Sequence, residues 1–192
     1  MKLIVGLGNP EKKYAGTRHN AGFDALIEIQ RELVWGTPFS EWSKVARMRS
    51  VISDAKLGDE KIVLLMPQTY MNLSGEAVNI ASVFYKMSPE DIWVIHDDID
   101  LPLGRIRINF DGTSGGHKGI ESVINHLGSK KFYRFRIGIR PPESEKIETE
   151  KFVLQKFSKV EEPKLLDSLH RIRQAIELSL RESLAAAMNK FN

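Results

Sequence analysis

The run KLIVGLGNP at residues 2–10 constrains the fold more than any other stretch. Lys2 to Leu7 is compact and rich in β-formers, and Gly8, Asn9 and Pro10 stop it at once, so it reads as a buried strand ending in a turn. The apolar period then changes. Phe23, Leu26, Ile27 and Leu33 recur at helical spacing behind Asn20, a capping residue type, and Gly36 and Pro38 close the element. A buried strand, a loop and an amphipathic helix in that order open an α/β chain.

The remaining sequence alternates in the same way. Strands are expected at 44–57 and 61–66, joined through Gly58-Asp59, a hairpin dipeptide, and closed by Pro67. A helix is predicted from about Ser74 to Lys86, with Ala77, Ile80, Ala81 and Phe84 on one face, and a strand from Ile92 to Asp97. Arg105 to Phe110 alternates strictly, the glycine-rich DGTSGGHKG follows, Ile120 to Leu127 has helical period, and Arg134 to Arg140 alternates again. The polar, proline-led stretch 141–150 reads as a surface loop. Leu165, Leu169, Ile172, Ile176, Leu180 and Leu184 then mark one long amphipathic C-terminal helix. At 192 residues the chain is long enough for one sizeable core, so a single domain over 1–192 is expected.

Several chemistries are excluded at this level. The chain has no cysteine, which removes disulfides, thiolate nucleophiles and cysteine-ligated metals and suits a reducing cytoplasm. Its N-terminal apolar run is too short for a signal-peptide core or a membrane span, so no membrane role is expected. Gly6 and Gly8 suggest a dinucleotide turn, but Glu11 stands where that fingerprint needs its third glycine. The second cluster, Gly112 to Gly119, has His117 where a nucleoside-triphosphate loop wants glycine and Gly119 where it wants a hydroxyl. Its adjacent glycines before a helix can still offer N–H groups to a phosphate or carbonyl oxygen. His96, Asp97, Asp98 and Asp100 resemble a hard-metal cluster, yet neighbouring strand residues point to opposite faces, and no metal is expected.

What remains is a set of polar residues at strand ends. Asn9 follows the first strand, Asn72 follows the one closing at Met66, and Asp97 ends the one opening at Ile92. Ligands of α/β sheets bind outside the strand carboxyl ends, so these side chains can converge there, with His19 at the far end of the first loop. A histidine oriented by a carboxylate is a standard general base. With no cysteine, and with Ser74 outside a G-x-S-x-G turn, the pair His19 and Asp97 points to an activated water. Asn9 and Asn72 could hold the carbonyl under attack and stabilise its oxyanion, so the expected reaction is hydrolysis of an acyl derivative. A loop histidine is more often structural and an asparagine after a strand is usually a turn residue, so each assignment competes with a bland one. Arg105 and Arg107 share one strand face and Arg134, Arg136 and Arg140 another, with Lys130 and Lys131 beside them; such clusters track phosphates, although a solvated face is the commoner explanation. Phe132, Tyr133 and Tyr14 add stacking surfaces for bases.

The ordered blocks KLIVGLGNP, YxxTRHNAGF, PxTYMNxSG, HDDxDLPxG, GGHKG and RIGIRPP, from Lys2 to Pro142, resemble the bacterial peptidyl-tRNA hydrolases. The resemblance implies a monomeric single-domain enzyme with a mixed, twisted β-sheet surrounded by helices, cytoplasmic and free of metal or cofactor. It would cleave the ester between a peptide and the 3′ ribose of tRNA, recycling peptidyl-tRNA released from ribosomes. It implies His19 as catalytic base, Asp97 as its orienting carboxylate, and Asn9 and Asn72 as asparagines that hold the peptide end and the reacting carbonyl. Met71 and Tyr14 would line the crevice, His117 would lie on the substrate side of its rim, and Arg134 and Arg136 would belong to a tRNA-contacting surface. Lys118 departs from the family, which usually has asparagine there; a cation cannot accept a hydrogen bond, and a substrate contact to a tRNA phosphate is the alternative. Glu11 likewise replaces a common glycine. Two other classes compete: an RNA-binding relative of the same fold without hydrolysis, as in plastid proteins that assist intron splicing, and an esterase for small acyl substrates.

Overall fold

The computed structural model describes residues 1–32, 37–141 and 148–192. Lys2–Gly6 forms strand β1, and its alternation explains its place: Ile4 enters one apolar cluster while Leu3 and Val5 enter another, all fully buried. A strand that feeds a core on both faces belongs in the middle of a sheet covered by helices on both sides. Each such aliphatic side chain contributes about 1.5 to 3 kcal/mol on burial.

The other strands are β2 (Ser43–Val45), β3 (Ser50–Leu57), β4 (Glu60–Pro67), β5 (Ile92–Pro102), β6 (Ile106–Phe110) and β7 (Tyr133–Arg140). They form a seven-stranded mixed sheet in the order β2-β3-β4-β1-β5-β7-β6. β4, β1, β5 and β7 run parallel, and β2, β3 and β6 add antiparallel edges. The parallel centre brings the carboxyl ends of β1, β4 and β5 to one edge of the sheet, the placement that the strand-end reading requires.

The helices are α1 (Ala21–Glu32), α2 (Ser74–Tyr85), α3 (Lys118–Leu127), α4 (Thr149–Phe152), α5 (Glu162–Arg181) and α6 (Leu184–Phe191). α1, α5 and α6 cover the Ile4 face, and α2 and α3 cover the Leu3 face. α1 docks backbone to backbone. A Cβ on Gly6 would lie 2.3 Å from the Gly22 carbonyl oxygen, and one on Gly22 would lie 2.5 Å from the Ile95 carbonyl oxygen. Two bare α-carbons thus press the first turn of α1 against the end of β1 and against β5 at Ile95, and the residues just before that turn stand over the carboxyl ends of the parallel strands.

Some expectations shift. The strand expected at 44–57 is interrupted: residues 46–48 form a 3-10 turn, Arg49 takes a left-handed conformation at φ 50°, and Met48 is buried. β5 runs past Asp97 to Pro102 because it keeps pairing with β7 across an irregularity between Asp98 and Pro102. The long C-terminal helix breaks at Glu182–Ser183, where the Ser183 hydroxyl accepts from the Ala186 N–H at 3.1 Å and starts α6. Leu33 and Gly36, expected near the end of the first helix, lie outside the described residues, as does most of the expected loop at 141–150.

Candidate active site

His19 sits in a 3-10 turn, Arg18–Asn20, that leads straight into α1. Its N–H donates to the Val153 carbonyl at 2.8 Å, and its Nδ1 lies 2.9 Å from Oδ1 of Asp97 near the end of the parallel part of β5. The same carboxylate oxygen lies 3.0 Å from Nε2 of His117, which precedes α3 in the glycine-rich loop.

His117 has a defined tautomer. Its Nδ1 accepts from the Gly119 and Ile120 N–H groups at 3.1 and 3.2 Å, capping the helix, so the proton resides on Nε2 and is donated to Asp97. Gly119 has to be glycine here, because a Cβ would meet Met71 Sδ at 2.4 Å and the His117 ring at 3.0 Å. Asp97 is 2 % exposed. Burial alone would push its carboxyl up, but the two imidazoles, through charge attraction and their N–H donors, outweigh burial and hold it well below the usual carboxylate range. An ionised Asp97 requires a donor from His19 as well, which places a proton on Nδ1 and leaves the lone pair on Nε2.

His96, next in chain, is a further imidazole against this pair. Its ring meets that of His117 edge-on at 4.8 Å, and its Nδ1 contacts the Asp97 carbonyl at 2.6 Å. Burial first, and the neighbouring His117 second, press it far below the ordinary imidazole range, so it is neutral. It contributes no charge to the site.

Asn9 is buried and held on several sides. Its N–H donates to Asn20 Oδ1 at 2.9 Å, its carbonyl accepts from Asn20 Nδ2 at 3.0 Å, and its Oδ1 accepts the Met71 N–H at 2.9 Å. Fixing the side-chain oxygen in this way leaves the Nδ2 donor for an incoming group. Asn20, absent from the sequence-based set, is thus the brace of Asn9; its place just before α1 suggested only a helix cap. Asn72 is exposed in the 3-10 turn Met71–Leu73 that leads into α2, and Met71 beside it is buried.

These residues line a cleft of about 1040 Å³. Tyr14 and Tyr70 stand at one side, where Tyr70 Oη donates to Glu11 and Lys13 lies over the Tyr14 ring. Glu11 therefore has a local partner set of its own, with Lys13 Nζ 3.0 Å from its Oε2. On another side Lys118 Nζ reaches Glu150 Oε1 of α4 at 2.7 Å, an exposed ion pair between two cleft-lining residues.

The arginines separate into two kinds. Arg134 is 4 % exposed, and its guanidinium donates to the carbonyls of Gly112 and Thr113, so it braces the glycine-rich loop from inside. A sequence pattern that groups Arg134 with surface cations cannot distinguish the two situations, because strand parity reports a face and not its cover. Arg136 pairs with Asp98 at the cleft wall. Arg105 and Arg107 are exposed and lie outside the cleft lining.

His19, Asp97 and His117 have ligand atoms within 4.8 Å of one another, spacing that could suit a metal. The hydrogen bonds argue against that use. His117 already commits its Nδ1 lone pair to two backbone N–H groups, so its Nε2 is a donor, and ligation would require breaking the helix cap or forming an imidazolate.

The chain matches the family model described as peptidyl-tRNA hydrolase over residues 3–192. It is 42 % identical over 192 residues to the peptidyl-tRNA hydrolase of Brevibacillus brevis, covering 100 % of this chain and 98 % of that one. It is 41 % identical to that of Geobacillus kaustophilus, with 100 % of both chains covered. The crystal structure of peptidyl-tRNA hydrolase from Acinetobacter baumannii superposes with a TM-score of 0.90 at 32 % identity, covering 100 % of this chain and 94 % of that one. Sequence over the full length and fold agree: the chain belongs to the peptidyl-tRNA hydrolase family.

Proposed function

We infer that the protein hydrolyses the ester linking a peptide to the 3′ ribose of tRNA, with a water activated by His19 and Asp97. The observation that carries this reading is the His19 Nδ1 to Asp97 Oδ1 contact of 2.9 Å inside a cleft that also holds Asn9. With Nδ1–H donated to the carboxylate, the Nε2 lone pair takes a proton from water as its oxygen attacks the ester carbonyl. Asn9 Nδ2 donates to the oxyanion that forms, and Asn72 holds the peptide end. The tetrahedral intermediate collapses by breaking the bond to the ribose oxygen, which leaves with the proton now on His19 Nε2. Asp97 stays ionised throughout and stabilises the imidazolium between the two steps.

Tyr14 and Met71 shape the cleft wall for the peptide, and His117 keeps Asp97 and the loop before α3 in place. Lys118, carrying a cation at the rim, exchanges its Glu150 partner for a tRNA phosphate. The exposed Arg105 and Arg107 track the tRNA backbone, and Arg136, at the cleft wall, orients its end. Arg134 acts on the same surface by shaping the loop that faces the substrate. No helix among the described residues is long and apolar enough to cross a membrane. The reading places the enzyme in the cytoplasm as a monomeric, one-domain chain that needs no metal and recycles peptidyl-tRNA released by ribosomes.

The deciding assay is release of peptide from an N-acyl-aminoacyl-tRNA by purified protein, with His19→Ala alongside. Turnover by the wild type and its loss in the variant are expected. Binding of the tRNA without release by the wild type would instead favour an RNA-binding role, and cleavage indifferent to salt would favour a small-ester esterase.

A further inference from the structure

Arg18 shares the 3-10 turn with His19, and the hydrolytic steps make no use of it. Its guanidinium is buried, 5 % exposed, and lies 4.3 Å from the ring of Phe152 and 4.7 Å from that of Phe157. Nη2 donates to both carboxylate oxygens of Glu161 at 2.9 Å. Glu161 is itself held where α5 begins, accepting from the N–H and hydroxyl of Ser158 at 2.8 Å.

This is an expensive way to secure a turn. Nε and Nη1 of Arg18 are buried with no acceptor, and an ion pair taken out of water is weak support for a fold compared with apolar side chains of the same volume. The main chain around it is tied to the same segment: the Arg18 N–H donates to Gln155 O at 3.0 Å, the His19 N–H to Val153 O at 2.8 Å, and Thr17 bridges Lys156. The turn that carries His19 therefore takes its position from residues 152–161, more than a hundred positions away, and the Arg18 side chain is the peg between them.

We propose that Arg18, locked between Phe152, Phe157 and Glu161, is a positioning residue that holds the His19 ring on Asp97. The proposal rests on the reading of His19 as general base. Arginine suits the place because its planar guanidinium lies between two rings while Nη2 spans both oxygens of the carboxylate; a lysine ammonium has no plane to stack. A shift of the turn by about 1 Å would misalign the base, a displacement that can cost about 100-fold in rate.

The test pairs the apolar double variant Arg18→Met/Glu161→Leu with the wild type. The expected result is a folded protein with an unchanged thermal midpoint, kcat lowered roughly 10- to 100-fold and KM unchanged. The ring Nδ1–H resonance of His19 is expected to be sharp in the wild type and to broaden or vanish in the double variant, and Arg18→Lys is expected not to restore kcat. Wild-type kcat in the folded double variant, or a loss confined to KM, would overturn the proposal. Should the double variant fail to fold, the single variant Arg18→Lys, which keeps the charge and loses the stacking plane, must still lower kcat in the folded protein; wild-type kcat there refutes the proposal. His19→Ala separates the two readings: its retained turnover would remove His19 as base, while the His19 ring signal in the Arg18 variants still reports whether Arg18 holds the ring.

Discussion

His117 commits both ring nitrogens: Nδ1 accepts the Gly119 and Ile120 N–H groups that open α3, and Nε2 reaches Asp97 Oδ1 at 3.0 Å. One side chain thus fixes a helix end and one face of the carboxylate that orients His19. The two roles separate by substitution. His117→Ala should lose about 1 kcal/mol of stability with the cap. His117→Asn, whose Oδ1 can cap, should recover most of that loss in urea unfolding. Neither should regain full kcat, because the Nε2–H donor to Asp97 is gone in both. A wild-type rate in His117→Asn would limit His117 to capping.

Asp97 is held well below the usual carboxylate range by His19 and His117 against the opposing effect of burial. A carboxyl depressed in the folded state binds fewer protons there than in the unfolded chain, so its contribution is fully present above about pH 4 and lost as pH falls further toward the folded value. Asp97→Asn removes that dependence. The stability advantage of the wild type over Asp97→Asn should therefore shrink as the pH is lowered from about 6 to about 3, measured by urea unfolding. At neutral pH kcat should fall about 100-fold or more, because an amide does not impose the Nδ1–H tautomer on His19.

Much of this site was legible in the sequence because strand ends carry position. The stop at Gly8-Asn9-Pro10 located Asn9, Asp97 closed an apolar run, and the parallel order of β4, β1 and β5 turned those ends into one edge. The partners were not legible, since they depend on contacts between distant segments. Arg18 and Glu161 lie 143 positions apart, and nothing in the run TRHN at residues 17–20 marks an arginine that will be buried. Arg134 looked like a surface cation because its strand alternates; only the fold of residues 112–113 over it shows why it is enclosed. Ser183 broke a continuous apolar stripe by capping α6, a choice that helical periodicity alone does not register.

Lys118 and Glu150 form an exposed pair across the cleft, with side chains 60 % and 77 % exposed. Such a contact contributes little to folding, so Lys118→Asn and Glu150→Gln should each leave the unfolding midpoint in urea nearly unchanged. Function should separate them. Removing the lysine should raise KM for peptidyl-tRNA, and removing the competing carboxylate should lower it, each by a few-fold at low salt and less at high salt. Opposite signs are the diagnostic. Equal KM values for both variants would mean that Lys118 meets no phosphate.

Asp24, in the first turn of α1, faces the reverse electrostatic situation from Asp97. Burial pushes its carboxyl up to about 6, and among the described residues no cation or donor reaches it. The folded chain holds the proton more tightly than the unfolded one, so stability is greatest below about pH 4 and falls as pH rises through about 6. A shift of that size corresponds to on the order of 2 kcal/mol at neutral pH, reduced by the favourable field of the helix N-terminus. Asp24→Asn keeps the shape and removes the ionisation. It should therefore raise the thermal midpoint at pH 7.5 and leave it unchanged at pH 4, where the wild-type carboxyl is already protonated. Because α1 carries the His19 turn at its start, the same substitution also asks whether the charge serves turnover. An unchanged kcat alongside the raised midpoint would make Asp24 a cost to the fold with no catalytic return, whereas a lowered kcat would tie its charge to the placement of His19.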